Sequence, residues 1–461
     1  MPSSLGRVPP GPPRRAAIEV LRKLRADRLG LMSEAVTEYG DAVRVAIGPK
    51  KLYIFNAPDH AKHVLADNAA NYHKGIGYTE AKRALGDGLL TSEGALWKEQ
   101  RRTIQPVFQH KRIAAQADVI VDEALGLVGR LRAHQDAGRP VDVLSEITAL
   151  TLGVLGNTLL DTDLGAFESI GHSFEDVQDQ AMFEMETLGM VPRWLPLKRQ
   201  RAFRKSRADL ERIMRILVAQ RKDNPIESGE DVLTRLIAST GKEPDRRVAD
   251  RRMRDELVTL LLAGHETTAS TVGWTLNLVS QHPEVRDRLH DEAVAVYGDR
   301  RPTYEDLPQL RYTSMVLQET MRLFPPVWIL TRRAVADDEV GGYHVPAGAE
   351  VLICPYTLHR HPKYWADPER FDPARFDPDV PVNRPRYAHI PFGAGPRFCV
   401  GNHLGMMEAT FIISTLMRDL RLEKQPGFRV KPEPMLSLRL GGGLPMSVHP
   451  WPAARSDRAA A

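Results

Sequence analysis

The feature that most constrains the fold is a long helical pattern between Asp250 and Ser280. Apolar side chains recur there at a spacing of three and four for about thirty residues, and the pattern ends at the sequence HPE. At 1.5 Å per residue such a helix measures roughly 46 Å, which is enough to cross a whole domain. The other elements are therefore expected to pack around this helix.

The middle of the predicted helix carries the stretch LLAGHETTAS. Ala263 and Gly264 lie one turn before Thr267 and Thr268, so they share faces of the helix. A glycine inside a helix costs about 1 kcal/mol relative to alanine, and a threonine hydroxyl can bond the carbonyl four residues earlier. Together they predict a local groove. A zinc-protease motif is excluded because Ala269 stands where that motif requires its second histidine.

Patterning along the rest of the chain predicts a mainly α protein with a small β region. The segment DAVRVAIGPKKLYIF predicts a hairpin, and short strands are expected in EVGGYHVPAGAEVLI and KPEPMLSLRLGGGLPMSV. Because we find neither an internal repeat nor a long linker, one domain is expected over residues 17–452. Residues 1–16 are interpreted as an extended proline-rich lead-in and residues 453–461 as a flexible tail.

Composition narrows the classes of function. A net charge of +4 over 461 residues lacks the basic excess of a dedicated nucleic-acid-binding protein. The longest apolar run, LVTLLLAG, has about eight residues, against about 20 for a bilayer span, so no transmembrane anchor is expected. Two cysteines are too few for a disulfide framework or an iron–sulfur cluster. With no signal-peptide pattern, a cytoplasmic location is expected.

The two cysteines stand in different contexts. Cys354 fits a buried position in a strand, whereas Cys399 lies in the glycine-rich stretch PFGAGPRFCVGNHLG, just before a predicted helix. A helix N-terminus favours a thiolate over a thiol, and glycines let the backbone approach a flat, bulky ligand. A metal-bound thiolate would use both features, but a buried cysteine in a glycine turn has the same local pattern.

The spacing around Cys399 is more specific than its composition. Phe392, Gly395, Arg397, Cys399 and Gly401 match F-x-x-G-x-R-x-C-x-G, which resembles the haem-binding loop of the cytochrome P450 family. Further motifs in the family's order extend the resemblance over most of the chain, from GDAVRVAIGP to LGGGLPMSV. The resemblance implies a triangular, mainly helical domain that holds haem b between the long central helix and the cysteine loop.

The resemblance also assigns residues to the haem site. In the family's pattern Cys399 is the thiolate ligand of the iron, Phe392 packs on the sulfur side, and Arg397 binds a haem propionate. In TRRAVADD the further propionate contact falls on Arg332, with Arg333 adjacent if the register slips. The cofactor-binding residues implied in this way are Trp97, Arg101, Arg332, Phe392, Arg397 and Cys399.

Two other motifs receive roles by the same resemblance. The stretch AGHETT matches the family's oxygen-binding segment, so Glu266 and Thr267 are assigned to proton delivery during oxygen activation. The sequences ETMR and DPERFDP supply Glu319, Arg322 and Arg370, which are expected to form a buried charge network behind the haem loop. We expect this network to stabilise the fold and to take no part in the reaction.

The resemblance places a mostly apolar substrate pocket on several elements, which suggests a hydrophobic guest such as a terpenoid, fatty acid or polyketide. Lys50 and Lys51 at the hairpin turn could hold a substrate carboxylate at a channel mouth, although lysines in a turn are usually solvated. The expected pocket residues are Ile76, Tyr78, Leu90, Phe183, Leu262, Ala263, Val327, Trp328 and Leu436.

The implied activity is that of a haem-dependent monooxygenase, which hydroxylates or epoxidises its substrate with O2 and two electrons. A separate ferredoxin or flavodoxin with its NAD(P)H reductase is expected to supply the electrons, docking on a basic surface that includes Lys98, Arg102, Lys111 and Arg112. We expect a monomer. A haem-thiolate peroxygenase, a haem-thiolate isomerase and a non-catalytic haem sensor or carrier are the alternatives that the sequence leaves open.

Overall fold

The structure is a computed structural model that describes residues 6–47, 50–136, 138–167, 169–187, 191–192, 194–224, 231–381 and 383–452. Part of the predicted lead-in and the whole predicted tail, residues 453–461, lie outside the described residues. The described chain is mainly α-helical with a small β region, as the sequence predicts. Among the described residues, none of the helices combines the length and the apolar character that a membrane crossing requires.

The helices of the described residues are numbered here in chain order. They are α1 (Ala17–Ala26), α2 (Arg28–Tyr39), α3 (Pro58–Lys62), α4 (Tyr78–Leu85), α5 (Gly94–Ile104), α6 (His110–Ala114), α7 (Ala117–Asp136), α8 (Val143–Leu159), α9 (Ile170–Glu186), α10 (Lys198–Asp223), α11 (Val232–Thr240), α12 (Arg246–Val279), α13 (Pro283–Tyr297), α14 (Arg311–Leu323), α15 (Pro355–Leu358) and α16 (Asn402–Asp419).

The strands of the described residues are short. They are β1 (Ala42–Ile47), β2 (Lys50–Phe55), β3 (Tyr72–Lys74), β4 (Val141–Asp142), β5 (Leu330–Ala334), β6 (Asp338–Val340), β7 (Tyr343–Val345), β8 (Glu350–Ile353), β9 (Arg421–Lys424), β10 (Lys431–Pro434), β11 (Leu438–Gly441) and β12 (Pro445–His449).

The long central helix predicted from the sequence is α12, which runs for 34 residues from Arg246 to Val279. Its first turn is capped by Asp245, whose carboxylate accepts a hydrogen bond from the Arg247 backbone N–H at 2.8 Å. From Leu257 onward nearly every side chain is buried. The helix packs against α8, α14 and α16. It is therefore surrounded by protein, as its length requires.

Gly264 explains part of the predicted groove in α12. A Cβ atom at this position would lie 2.7 Å from Leu155 Cδ1 on α8, which is closer than real Cβ contacts allow. The glycine therefore permits close packing of α12 on α8, and a neighbouring helix fills that side of the groove. The side that carries Ala263 and Thr267 has accessible surface.

Five strands form the largest sheet, in the order β1-β2-β8-β5-β3. The predicted hairpin is present as β1 and β2, which pair antiparallel with Ala42 opposite Phe55. β10 and β11 form a separate antiparallel pair with Glu433 opposite Arg439. These sheets position loops around the helical body. Along β5 successive side chains point to opposite faces of the sheet.

A buried ion pair on α14 stabilises the region behind the cysteine loop. Arg322 donates two hydrogen bonds to Glu319, at 2.6 and 2.8 Å, and both side chains are fully buried. The guanidinium also donates to the carbonyls of His359, Pro368 and Arg370, at 3.1, 2.6 and 3.0 Å. The pair therefore holds the irregular segment after α15 in place.

The prediction that the Arg370 side chain completes this network is wrong. Its guanidinium is 64% exposed and pairs with Asp372 at 2.7 Å, so Arg370 contributes its backbone carbonyl alone to the network. The third side chain is Arg375, whose Nε lies 3.4 Å from Glu319 Oε1. The pattern D-P-x-R-F occurs twice in succession, in DPERF and DPARF. The direction in which the chain turns after α15 decides which arginine faces Glu319.

This geometry predicts different effects for the two arginines. Arg375→Gln should lower the free energy of unfolding by roughly 1.5–3 kcal/mol, because a charged partner of the buried Glu319 is lost. Arg370→Gln is the matched control and should change it by no more than about 0.5 kcal/mol. Denaturant unfolding of both variants measures the difference. Equal losses for the two variants would contradict the assignment.

Candidate active site

The cysteine loop precedes α16 and is held in one conformation by backbone contacts. Gly393 and Gly395 have φ values of +72° and +65°, which favour glycine. A Cβ atom on Gly395 would lie 1.9 Å from the Leu65 carbonyl oxygen, so only glycine permits the loop to approach that segment. The Cys399 N–H donates to the Phe392 carbonyl at 3.0 Å and closes the loop. These contacts determine the position of the sulfur atom.

Cys399 has accessible surface although protein surrounds it closely. Burial raises the pKa of its thiol, while the Gly401 backbone N–H and the Arg101 guanidinium act in the opposite direction. The predicted stabilisation of a thiolate is therefore smaller than the cost of burial in the free protein. A bound metal cation would reverse this balance, because a coordinating thiol is deprotonated outright. Cys354, by contrast, is buried and donates to the Trp328 carbonyl at 3.2 Å.

The middle of α12 exposes one narrow face. Ala263 is exposed and Thr267 is half-buried, while the neighbouring Leu262 is only 3% exposed and packs in the core. The Thr267 hydroxyl donates to the Ala263 carbonyl at 2.7 Å, as the sequence analysis anticipates for threonine at this spacing. Its oxygen lone pairs stay available as acceptors. Of the two predicted pocket residues on this helix, Ala263 therefore contributes surface and Leu262 contributes little.

A cluster of cations lies between α5, β3, β5 and the cysteine loop. Arg397 pairs with Glu93, donates to the Ser92 carbonyl at 3.0 Å, and its guanidinium carbon lies 3.9 Å from the centroid of the Trp97 ring. Burial and the nearby charges of Arg332 and Arg101 lower the pKa of Arg397 to about 10. The charge of Glu93 compensates these cations only in part.

Lys74 is a member of this cluster that the sequence analysis missed. Burial and the neighbouring guanidinium groups of Arg332 and Arg397 hold the pKa of Lys74 well below its usual range. Its Nζ lies 4.3 Å from the centroid of the Tyr78 ring. Tyr78, predicted to line the substrate pocket, therefore lies against the cation cluster. No local motif around Lys74 distinguishes it from a surface lysine at the end of a strand.

The register of β5 decides between Arg332 and Arg333. Arg333 donates to Glu350 at 2.5 and 2.7 Å, whereas Arg332 is 6% exposed and faces Tyr78 and Glu93. Burial lowers the pKa of Arg332. Because side chains alternate along a strand, only one of the two can face the cluster. That residue is Arg332, the position that the resemblance assigns.

These observations fit a haem with a thiolate ligand. The accessible sulfur of Cys399 and the narrow exposed face of α12 suit a flat macrocycle, and the partly compensated cations suit its two propionate groups. Arg101 lies on the same helix as Trp97 and donates to the Phe398 carbonyl at 2.9 Å, so it links the cation cluster to the cysteine loop. The half-buried Phe392 ring is tilted against Phe398, with the ring centroids 6.4 Å apart.

Glu266 is engaged by groups from two other elements. Its Oε1 accepts a hydrogen bond from Arg439 Nε on β11 at 2.5 Å, and its Oε2 accepts one from Gln178 Nε2 on α9. The Glu266 side chain is 10% exposed. The sequence analysis missed both partners, because they lie 173 and 88 residues from Glu266 in the chain. Neither stands in a motif of its own.

A second buried acid lies on the helix that follows the cysteine. Glu408 on α16 is 1% exposed, and burial raises its pKa to about 8, with the Thr268 hydroxyl acting against this shift. Thr268 follows Thr267 on α12, and a Cβ atom on Gly405 would lie 3.7 Å from its hydroxyl oxygen. α12 and α16 therefore approach closely on the side of the cysteine loop.

A cavity of about 800 Å³ extends from the sheet to the N-terminal helices. Of the predicted pocket residues, Ile76, Phe183 and Trp328 line it. Much of its wall comes from α1 and α2, which the sequence analysis did not include. The remaining predicted pocket residues do not line this cavity; Leu90, Val327 and Leu436 are half-buried.

Comparison with known proteins identifies the class to which this fold and site belong. A family model described as cytochrome P450 matches residues 9–445. The chain belongs to the cytochrome P450 family, and it is accordingly an oxidoreductase with a haem-thiolate cofactor.

Several curated proteins are similar to the chain over most of their length. Cyclooctatin synthase from Streptomyces melanosporofaciens is 36% identical over 418 residues, which cover 90% of this chain and 89% of the relative. Cyclooctat-9-en-7-ol 5-monooxygenase from the same organism is 35% identical over 392 residues, or 84% of each chain. Pentalenene oxygenase from Streptomyces avermitilis is 28% identical over 401 residues, which cover 86% of this chain and 88% of the relative.

The raised pKa of Glu408 predicts a pH-dependent stability difference. The folded state keeps the Glu408 proton up to about pH 8, whereas the unfolded chain loses it near the ordinary value of 4.5. Burial of this acid therefore costs more stability as pH rises from 4.5 to about 8, and no more above that. Glu408→Gln should accordingly gain stability relative to the parent protein over this window.

Denaturant unfolding of both proteins at several pH values measures this difference. Glu99→Gln, at an exposed position on α5, is the control and should show a constant difference from the parent. A pH-independent difference for Glu408→Gln would show that Glu408 is ionised in the folded protein.

Proposed function

We propose that this protein is a monooxygenase that inserts one oxygen atom of O2 into a C–H or C=C bond of a terpenoid. Haem b is the proposed cofactor. The observation that carries the proposal is the arrangement of the accessible Cys399 sulfur, the exposed Ala263 and Thr267 face of α12, and the cation cluster around Arg397. A simple ligand carrier would have no evident need for the acid and hydroxyl pair of Glu266 and Thr267.

When bound, the haem supplies the redox chemistry that activates oxygen. The chain's own residues hold the group and control what reaches it. Cys399 is proposed as the thiolate ligand. Lys74, Arg101, Arg332 and Arg397 are proposed to bind the propionates, which would compensate the excess of buried positive charge.

Thr267 and Glu266 are proposed to handle protons beside the haem. The Thr267 hydroxyl already donates to the Ala263 carbonyl, so it presents acceptor lone pairs to the site and can hold a water molecule there. Glu266 directly precedes Thr267 on α12, and its carboxylate, which accepts hydrogen bonds from Arg439 and Gln178, is the proposed proton-relaying group. Because both residues lie on α12, the helix backbone fixes their positions relative to each other.

A terpenoid is favoured over a fatty acid or polyketide by two observations. The relatives named above include an oxygenase of pentalenene and a monooxygenase of cyclooctat-9-en-7-ol. The largely apolar wall of the cavity, which includes Phe183 and Trp328, suits a hydrocarbon skeleton.

A separate ferredoxin or flavodoxin, with its NAD(P)H reductase, is proposed as the electron donor to a monomeric enzyme in the cytoplasm. Lys98, Arg102 and Lys111 are exposed. They lie near the cysteine loop, since Phe108 packs at Gly401 and the rings of His110 and His403 have centroids 4.0 Å apart. An acidic donor docked there would approach the thiolate side of the haem.

Cys399→Ser should abolish the red-shifted absorption band that the reduced thiolate haem gives with carbon monoxide. The serine hydroxyl is a poor iron ligand in place of a thiolate. Cys354→Ser is the matched control and should retain the band, because that thiol is buried against β8 and the Trp328 carbonyl. An unchanged band in Cys399→Ser would refute the ligand assignment.

Thr267→Ala should separate reductant consumption from product formation. Loss of the hydroxyl removes the positioned acceptor on α12, so product per NADPH should fall by roughly 10²-fold, the lower range for proton transfer by a positioned group. Peroxide release should rise in proportion. Thr275→Val, two turns along the helix and fully buried, tests for general disruption of the helix. Equal coupling in Thr267→Ala and the parent would exclude this role.

The substrate class is tested with a panel of terpenoid hydrocarbons, fatty acids and polyketides, scored by the spin-state change of the haem. Turnover is then measured with O2 and a surrogate redox system, and separately with hydrogen peroxide. The expected result is product formation from a terpenoid with O2 and the redox system, and none with hydrogen peroxide. Turnover with peroxide alone would identify a peroxygenase.

A further inference from the structure

Two histidines lie side by side on the surface next to the cysteine loop. His110 begins α6, and His403 is the second residue of α16, shortly after Cys399 in the chain. Their ring centroids are 4.0 Å apart, and the angle between the ring planes is 49°. Both side chains are exposed. The function proposed above gives neither imidazole a role, so the pair needs an explanation of its own.

The ring nitrogens of both histidines are available as ligands. Within the described part of the chain, neither ring takes part in a hydrogen bond or an ion pair, and each ring is in contact with the other. A neutral imidazole presents one nitrogen lone pair, and histidine is the commonest metal ligand among the side chains. Two imidazoles in contact therefore offer two ligand atoms to a single ion.

The separation of the two rings suits a shared ion. Two imidazole nitrogens bound to one tetrahedral metal ion, at about 2.0–2.1 Å each, lie about 3.3 Å from each other. The nitrogens stand at the edge of each ring. Rings whose centroids are 4.0 Å apart can therefore bring one nitrogen each to that separation by small side-chain rotations, without movement of the backbone.

The backbone on both sides of the pair is held in place by the core. Ile113 on α6 and Leu404, which follows His403, are both 4% exposed and belong to the main hydrophobic core. A ring carbon of Phe108 lies 3.6 Å from the position of a Cβ atom on Gly401, just before α16. Ligands on fixed elements lose less conformational freedom when an ion binds, so such a pair binds more tightly than two mobile side chains would.

The surroundings of the pair select the class of ion. Partial burial and the proximity of His110 lower the pKa of His403, so its ring is neutral at neutral pH and able to ligate. Lys111 is exposed beside His110 and adds positive charge. Among the described residues, no group of three or more His, Cys, Asp or Glu side chains is placed to hold a metal ion, so no carboxylate joins the pair. Mg²⁺ and Ca²⁺, which prefer oxygen ligands, are thus disfavoured, whereas imidazole suits Zn²⁺, Cu²⁺ and Ni²⁺.

A second pair of neighbouring histidines, His359 and His389, lacks these properties. Their ring centroids are 4.9 Å apart, His359 is fully buried, and its Nε2 accepts a hydrogen bond from the Ile390 N–H at 2.8 Å. Burial and the nearby charges of Arg384 and Arg322 lower the pKa of His389 to about 3. A cation there would lose its hydration and be repelled by two guanidinium groups, whereas an ion at the surface pair keeps water ligands.

We propose that His110 and His403 form a surface site for one divalent transition-metal ion such as Zn²⁺, with both imidazoles as ligands and water in the remaining positions. The site lies beside Lys111, on the surface that the proposed function assigns to the electron donor. A bound ion adds two positive charges to that surface. The inference concerns binding of the ion alone, so it does not depend on the monooxygenase activity.

Zinc binding is measured by isothermal titration calorimetry on the haem-loaded protein without an affinity tag. We expect one Zn²⁺ per chain. His110→Ala and His403→Ala should each weaken binding at least about tenfold, because each removes one of two protein ligands. His73→Ala, at an exposed histidine on β3, is the matched control and should bind as the parent does. Absence of binding in the parent, or an unchanged affinity in His110→Ala or His403→Ala, would overturn the proposal.

His403→Phe separates the loss of a ligand from the loss of ring packing. The phenyl ring can keep the contact with His110 but has no nitrogen, so zinc binding should fall as far as in His403→Ala. Retained binding in His403→Phe would assign the ion to other residues and reject the site.

The position of the ion is read from anomalous scattering at the zinc edge in crystals of the parent grown with zinc chloride. We expect a peak about 2.0–2.1 Å from one nitrogen of each ring. A peak bound by a single histidine, or by other residues, would reject the shared site. These measurements need no turnover, so a failure of the monooxygenase assignment leaves their outcome unaffected.

Discussion

The burial of α12 along most of its length is the constraint on which the rest of the structure depends. Asp255 and Glu256 in its first half accept the backbone N–H groups of Asp87 and Leu89, at 2.8 and 3.1 Å, and so hold the loop before α5. Its middle exposes the face of Thr267, and its second half anchors β11 through the Leu438 carbonyl. The parts of the site are therefore aligned on a single rigid element.

Such an arrangement places ionisable groups where the protein interior disfavours their charged forms. Burial raises the pKa of Glu256 and of Glu408 to about 8, and it lowers the pKa of Arg397 to about 10. These groups reduce the stability of the free chain at neutral pH. A buried cation loses hydration, and a buried acid has to stay protonated at a pH where the unfolded chain has already released the proton. Glu256 lies on α12 and Glu408 on α16, whereas Arg397 belongs to the cation cluster beside the cysteine loop. Binding of the haem would offset part of this cost.

The sequence predicted local features well and long-range pairing poorly. The helix over Asp250 to Ser280 and the first hairpin were found because hydrophobic periodicity is a local property. The third member of the Glu319 network was misassigned, since Arg370 and Arg375 stand in equivalent local patterns. Lys74 was missed because nothing near it in the chain indicates that it is half-buried beside Arg332 and Arg397.

The sequence by itself determined the class of the protein: a long central helix, a short motif around Cys399 and a resemblance that covers most of the chain. Each depends on residues close together in the sequence. Only the tertiary structure decided that Arg375 faces Glu319, that Arg332 faces the cation cluster, and that Arg439 holds Glu266. The physical reason is that a charged side chain's partner and burial are set by packing between elements that lie far apart in the chain.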